Sequence, residues 1–231
     1  TGSEANHALT INLAQSDGPL ILMRLTIVIL ISMFATASLS ADRRFAVHGN
    51  TLVFDMTIEE SGHKFTQQLE RYDVNLLSDY LFEHPEIKIL KLTGPGGFMP
   101  AAREMASKII EFDLNTVAYG ECESACTTIF LAGNKRSLET SAKLGFHRQW
   151  VDKEQEKLYY NAMKETKGWK NEFDYVAWVY DVLADNIIKD IEFMESRGVS
   201  MDFILKALSK ASYDMWEPSR DELTAAGIVN Q

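Results

Sequence analysis

The apolar positions of this chain change period several times, and each change marks an element. Between Arg43 and Ile58 they alternate. Phe45 and Val47 precede Gly49-Asn50, and Leu52, Phe54, Met56 and Ile58 follow it, which predicts a β-hairpin turning at Gly49-Asn50. From Thr66 to Phe82 the period lengthens. Leu69, Tyr72, Leu76, Leu77 and Tyr80 fall on one face of a helix that His84-Pro85 ends. Ile87 to Leu92 alternates again, as a half-buried strand does. Ala102, Met105, Ile109 and Ile110 then predict a helix over 101–112, with Pro100 tolerated in its first turn. A strand over 115–119 follows, then a helix from Ser124 through Phe130 to Ala132, then the short apolar strand Lys143-Leu144-Gly145-Phe146-His147. Strands and helices alternating over short links predict an α/β fold with a mainly parallel sheet and right-handed crossovers.

Beyond that strand the pattern changes character. Residues 151–170 are rich in Lys and Glu, with Tyr159, Tyr160 and Trp169 among them, and read as a surface excursion, a lid or an oligomer contact. Phe173, Val176, Tyr180, Leu183, Ile187, Ile191 and Met194 form a long helical stripe that fills the core or meets a second subunit. Ser200 is placed to cap a helix carrying Phe203, Ile204 and Leu208. The tail from Asp214 to Val229 reads as a short strand or turn, a helix from Pro218, and a stop at Gly227.

The first 40 residues read as export sequence rather than fold, and what precedes Met23 carries no helix or strand pattern and reads as an upstream or disordered tail. Met23-Arg24 opens an apolar run from Leu25 to Ala37, with small residues at Ser38, Ser40 and Ala41, as in a signal peptide cleaved after Ser40 or Ala41. The stretch from Pro19 to Leu39 is also long enough to span a bilayer, so an uncleaved membrane anchor is the alternative. Residues 41–231 then make one domain with a substantial core, periplasmic or secreted. The chain carries 23 Lys and Arg against 33 Asp and Glu, a net charge of −10. No basic block or aromatic-and-basic stripe breaks that acidity, which argues against nucleic acid as a partner.

The chemistry-bearing residues gather between Gly94 and Arg148. Gly94-Pro95-Gly96-Gly97 ends one predicted strand, Ser124 starts a helix after the next, and His147 ends the third. A nucleophilic serine needs a base, a group to orient that base, and donors for the developing oxyanion. A helix start offers unpaired N–H groups and a favourable dipole, so the Ala125 N–H is the natural oxyanion donor. Gly96-Gly97 can supply a second, because glycine lets the backbone approach a substrate. His147, 23 residues after Ser124, is the candidate general base. The two cysteines, Cys122 and Cys126, flank Ser124. In an exported chain a disulfide is expected, provided Cys122 lies outside the helix. A zinc site from Cys122, Cys126 and His147 is the alternative. The reaction itself calls for no cofactor.

This constellation resembles the Clp protease catalytic subunit and its exported relatives, within the wider Clp/crotonase superfamily. The resemblance rests on the Gly94–Gly97 turn before a helix, Gly120 four residues before Ser124, and the apolar strand ending in His147. It extends loosely to Asp214-Met215-Trp216 and Ala226-Gly227-Ile228-Val229. It implies a spiral core of repeated β-β-α units, Ser124 as nucleophile, His147 as base, Asp214 as the acid that orients it, and the Gly97 and Ala125 N–H groups as the oxyanion hole. Peptide or protein substrates and a homo-oligomer are further implications. Where the family has a small residue two after the serine, this chain has Cys126. The interval of 67 residues from His147 to Asp214 also leaves Asp221, Asp190 and Asp185 as alternative orienting acids, or no acid at all. An ester or thioester hydrolase, and a binding or scaffold protein on the same fold, are the other functions open to such a chain.

Overall fold

The computed structural model describes residues 44–59, 67–149 and 151–231. The expected leader and anchor fall on residues 1–43, outside the described residues. The hairpin forms as its alternation predicts, with β1 (Phe45–His48) antiparallel to β2 (Thr51–Asp55). β3 (Ile89–Gly94), β4 (Asn115–Glu123), β5 (Arg136–Leu138) and β6 (Lys143–Gly145) complete a six-stranded sheet. Its order is β1-β2-β3-β4-β5, every pairing after the first is parallel, and β6 pairs with the far end of β4. This is a mixed α/β fold with a mostly parallel sheet. β5, only three residues long, has too little pattern to be found in the sequence.

Register decides which face is core. Leu52, Leu90 and Thr116 stand side by side, as do Phe54, Leu92 and Ala118, and all are buried. Val53, Lys91 and Val117 alternate onto the other face, which is half exposed. The core is completed by Val74, Leu77 and Leu81 of α1 (Arg71–Glu83), by Ala102, Met105 and Ile109 of α2 (Met99–Glu111), and by Ile129 and Phe130 of α3 (Ala125–Leu131). Phe203 and Ile204 of α6 (Met201–Ser209) and Leu223 of α7 (Arg220–Ala225) join the same cluster.

Several boundaries differ from the sequence reading, each for a physical reason. α1 begins at Arg71 rather than Thr66, because the Leu69 backbone is engaged in a bridge to Gly97. The Asp73 carboxylate accepts from Glu70 N at 2.8 Å and fixes that start. Ile110 faces solvent, 46% exposed, one step off the buried stripe of α2. Gly120 to Glu123, beyond the strand expected over 115–119, extend β4 up to the serine. Ser200 stands at the N-cap of α6 without accepting a hydrogen bond through its side chain.

The 151–170 excursion is a helix, α4 (Lys153–Lys167), started by Asp152, whose carboxylate accepts from Glu154 N and Gln155 N. It ends at Gly168 in the left-handed conformation. α4 buries no residue. It is held to α5 (Glu172–Ser196) by a knot of rings: Trp169 lies 4.9 Å from Tyr175 and 5.1 Å from Trp178, and Tyr160 lies 5.4 Å from Tyr175. Of the stripe predicted on α5 only Met194 is buried, while Phe173 and Tyr180 are 84% and 74% exposed. Among the described residues no helix is long and apolar enough to cross a membrane.

Candidate functional site

The glycine turn after β3 is fastened to the segment that precedes α1. Leu69 N donates to Gly96 O at 2.7 Å, and Phe98 N donates to Leu69 O at 3.0 Å. A planar trans peptide whose carbonyl meets Leu69 turns the following N–H, that of Gly97, to the opposite side. A Cβ on Gly96, at φ +84°, would stand 2.6 Å from Ala125 N and 3.1 Å from Ser124 Cβ. A Cβ on Gly97 would stand 2.6 Å from Leu69 N. Neither position has room for a side chain, so the turn lies directly against Ser124 and Ala125.

A register shift brings the serine there. Leu92 pairs with Ala118, but Gly94 pairs with Cys122, so β4 spends two more residues than β3 over the same span. Thr93 Oγ1 holds the excess by donating to Glu121 O at 2.8 Å. Ser124 follows with φ 53° and ψ −123°, a positive-φ conformation costing a non-glycine residue about 1–3 kcal/mol. Its amide donates to Gly145 O at 2.9 Å, and its carbonyl accepts from Thr127 N and Thr127 Oγ1. Its side chain makes no cap hydrogen bond to α3. A serine that only began a helix would sit in extended backbone with its oxygen on the N–H groups of the first turn.

Cys122 and Cys126 are joined, with Sγ–Sγ 2.00 Å and Cα–Cα 5.3 Å. Cys122 lies on β4 and Cys126 in the first turn of α3, so the bond spans the serine corner, and both residues are fully buried. Two bonded sulfurs cannot serve a metal as thiolates, which sets aside the zinc reading. Among the described residues no other group of candidate ligands gathers.

His147 follows β6, which pairs Glu123 with Gly145 and so runs beside the serine corner. Phe146 exchanges backbone hydrogen bonds with Trp216, both at 2.9 Å, and Arg148 N donates to Lys210 O at 3.1 Å. The imidazole is half-buried. Desolvation lowers its pKa below the ordinary 6.5, with the Arg148 backbone acting in the opposite direction. Among the described residues its buried Nδ1 has no hydrogen-bond partner.

The expected orienting acid is elsewhere. Asp214 is on the loop that pairs with Phe146, but its side chain is 60% exposed and sits 3.9 Å from Lys210 Nζ. Asp221 and Asp185 are exposed as well. Asp190 is connected to the histidine segment only indirectly: it accepts from Gln149, two residues past His147, rather than from the ring. The structure therefore sets Gly96 against Ser124 and Ala125, runs the strand that leads to His147 beside them, and leaves the Asp214 carboxylate exposed near Lys210. Glu123, just before the serine, carries no sequence signal of its own. Burial, then Glu121 and Glu217, raise its pKa.

No family model and no curated protein matches this chain. Solved structures do. A mutant of ClpP1 from Listeria monocytogenes is 16% identical, with a TM-score of 0.53 over 79% of this chain and 90% of that one. An enoyl-CoA hydratase structure from Streptomyces coelicolor A3(2) is 12% identical, with a TM-score of 0.45 over 85% of this chain and 69% of that one. The chain thus has a ClpP-like fold.

Proposed function

We propose that this protein is a serine peptidase acting through an acyl-enzyme on Ser124. The observation that carries the reading is the conformation of Ser124. It holds a costly positive φ, makes no side-chain cap to the helix it begins, and has the Gly96 turn packed directly against it. Strain of this kind persists only where surrounding structure enforces it, and it gathers at working sites.

In the proposed reaction His147, through Nε2, takes the Ser124 hydroxyl proton as Oγ bonds to the scissile carbonyl carbon. The Gly97 and Ala125 N–H groups receive the resulting oxyanion. Collapse breaks the C–N bond, and His147 returns the proton to the leaving amine. Water, deprotonated by the same imidazole, then hydrolyses the ester and restores Ser124. The chemistry needs no bound cofactor. Asp214 takes no part, and the working unit is a Ser–His pair. The apolar run near the N-terminus and the buried disulfide support an exported, oxidising location. The exposed apolar side of α5 supports contact with further copies of the chain in a homo-oligomer.

A fluorophosphonate probe tests the reading. Labelling of the protein that disappears in Ser124→Ala and in His147→Ala is expected, with peptides cleaved in preference to short-chain esters. A folded, oxidised protein that resists the probe would instead be a binding protein on the same fold.

A further inference from the structure

Among the described residues nothing bonds to His147 Nδ1, so the orientation of the ring comes from the chain around it. Two of the restraints on that chain lie on one side, in the backbone bonds of Phe146 to Trp216 and of Arg148 to Lys210. The third comes from a different element and from a side chain. Gln149 Nε2 donates to Asp190 Oδ2 at 2.9 Å. Asp190, on α5, is itself fixed: its Oδ1 accepts from Arg103 Nη2 at 2.7 Å and from Arg103 Nε at 3.2 Å. Arg103 is fixed in turn, with Nη1 donating to Asn186 Oδ1 at 2.8 Å and Nη2 to Asn186 O at 3.3 Å.

The connectivity is informative. Arg103 belongs to α2, the helix that begins two residues after Gly97. Gln149 belongs to the segment that carries His147. Asp190 is bonded to both, so it couples the helix behind the oxyanion turn to the strand end that supplies the base. The pair is 28% and 16% exposed at Arg103 and Asp190, sheltered enough for charge-assisted bonds to hold their geometry.

We infer that Asp190, held by Arg103, is the positioning residue for His147 and acts through Gln149. The inference rests on His147 as the base of the proposed reaction. Asp190 never touches the imidazole. It fixes the backbone from which the ring projects, in place of a carboxylate on Nδ1.

The bond can be broken and remade. Gln149→Glu sets two carboxylates against each other and leaves the Arg103–Asp190 pair intact. In the double variant Gln149→Glu/Asp190→Asn the donor and acceptor are exchanged. The amide introduced at position 190 donates to the new carboxylate while its oxygen still accepts from Arg103. Two readouts are needed on the full chain: the maximal rate and half-saturating concentration of fluorophosphonate labelling, and the rate at which diethyl pyrocarbonate modifies His147.

Gln149→Glu should lower the maximal labelling rate about tenfold to a hundredfold with little change in half-saturation, since misplacing a catalytic group by about 1 Å costs up to that factor. Modification of His147 should rise about tenfold, the effect of losing one hydrogen bond to a charged group on local opening. The double variant should recover both. Unchanged modification in Gln149→Glu, or a double variant that stays impaired, overturns the inference. A parent that is never labelled, but whose His147 responds as described, overturns the peptidase reading and leaves the positioning role standing.

Discussion

At the scale of single residues the site is made of close approaches that tolerate no added atom. Gly96 shows this best, because its Cα lies where a methyl group would collide with Ala125 N and Glu123 O, each at 2.6 Å. Gly96→Ala should therefore destabilise the fold by about 2 kcal/mol or more, combining positive-φ strain with a steric clash. Urea unfolding measures the loss, and fluorophosphonate labelling should fall further than the unfolded fraction explains. His147 offers a second test. As a base it works only when neutral, and burial holds its pKa below 6.5. The labelling rate should be full at neutral pH and lost as pH falls through that lowered value. A midpoint above 6.5 in the pH profile would contradict the burial. The same shift disfavours the fold in acid, because the unfolded chain binds that proton more readily.

At the scale of elements, the corner between β4 and α3 has to be held against its own strain. Three devices converge there: the register shift clasped by Thr93, the Ser124 N to Gly145 O bond, and the disulfide from strand to helix. Closing so short a loop contributes about 2 kcal/mol through the unfolded chain. Cys122→Ala/Cys126→Ala should lose roughly that amount in urea unfolding. Its labelling should slow by more than the stability loss accounts for, because the strained serine is no longer enforced. Both cysteines are fully buried, so reduction of the native protein requires opening of the corner. Thiol trapping in dithiothreitol should show the bond intact until denaturant is added.

At the scale of the whole molecule, the C-terminal segment is fastened to the sheet by a buried cation. Arg136, 3% exposed, donates to the carbonyls of Ile228, Gly227, Gly133 and Arg197. Burial, then the neighbouring Arg197, pulls its pKa down to about 10, so it stays charged at neutral pH. Arg197 donates to Leu131 O, Ala132 O and Gly133 O, adding a second cation where α3 ends. Arg136→Met leaves several buried carbonyls without a donor and should cost about 3 kcal/mol or more. Hydrogen exchange would locate the loss in α7 and the tail. An unfolding free energy within about 1 kcal/mol of the parent would show that this segment is held by Leu223 and Ile228 alone.

The alternation of strands and helices, the hairpin, and the order glycine turn, serine, histidine are legible in the chain alone. These are local matters, set by the period of apolar side chains and by the few residues that can occupy a turn. The two cysteines made a disulfide the expectation beside a zinc site, on the condition that Cys122 leave the helix, and it is the extension of β4 that meets the condition. The rest depends on how distant segments pack. The β4 register shift depends on pairing with β3, a strand separated from it by a whole helix, and no pattern within β4 announces it. Whether the stripe on α5 fills a core or faces outward depends on what packs against it, since periodicity specifies a face and not its partner. The acid linked to the base was undecidable for the same reason. Asp214 and Asp190 look alike in sequence, and only the fold brings Arg103, Asp190 and Gln149 together from three distant segments while leaving Asp214 beside Lys210 in solvent.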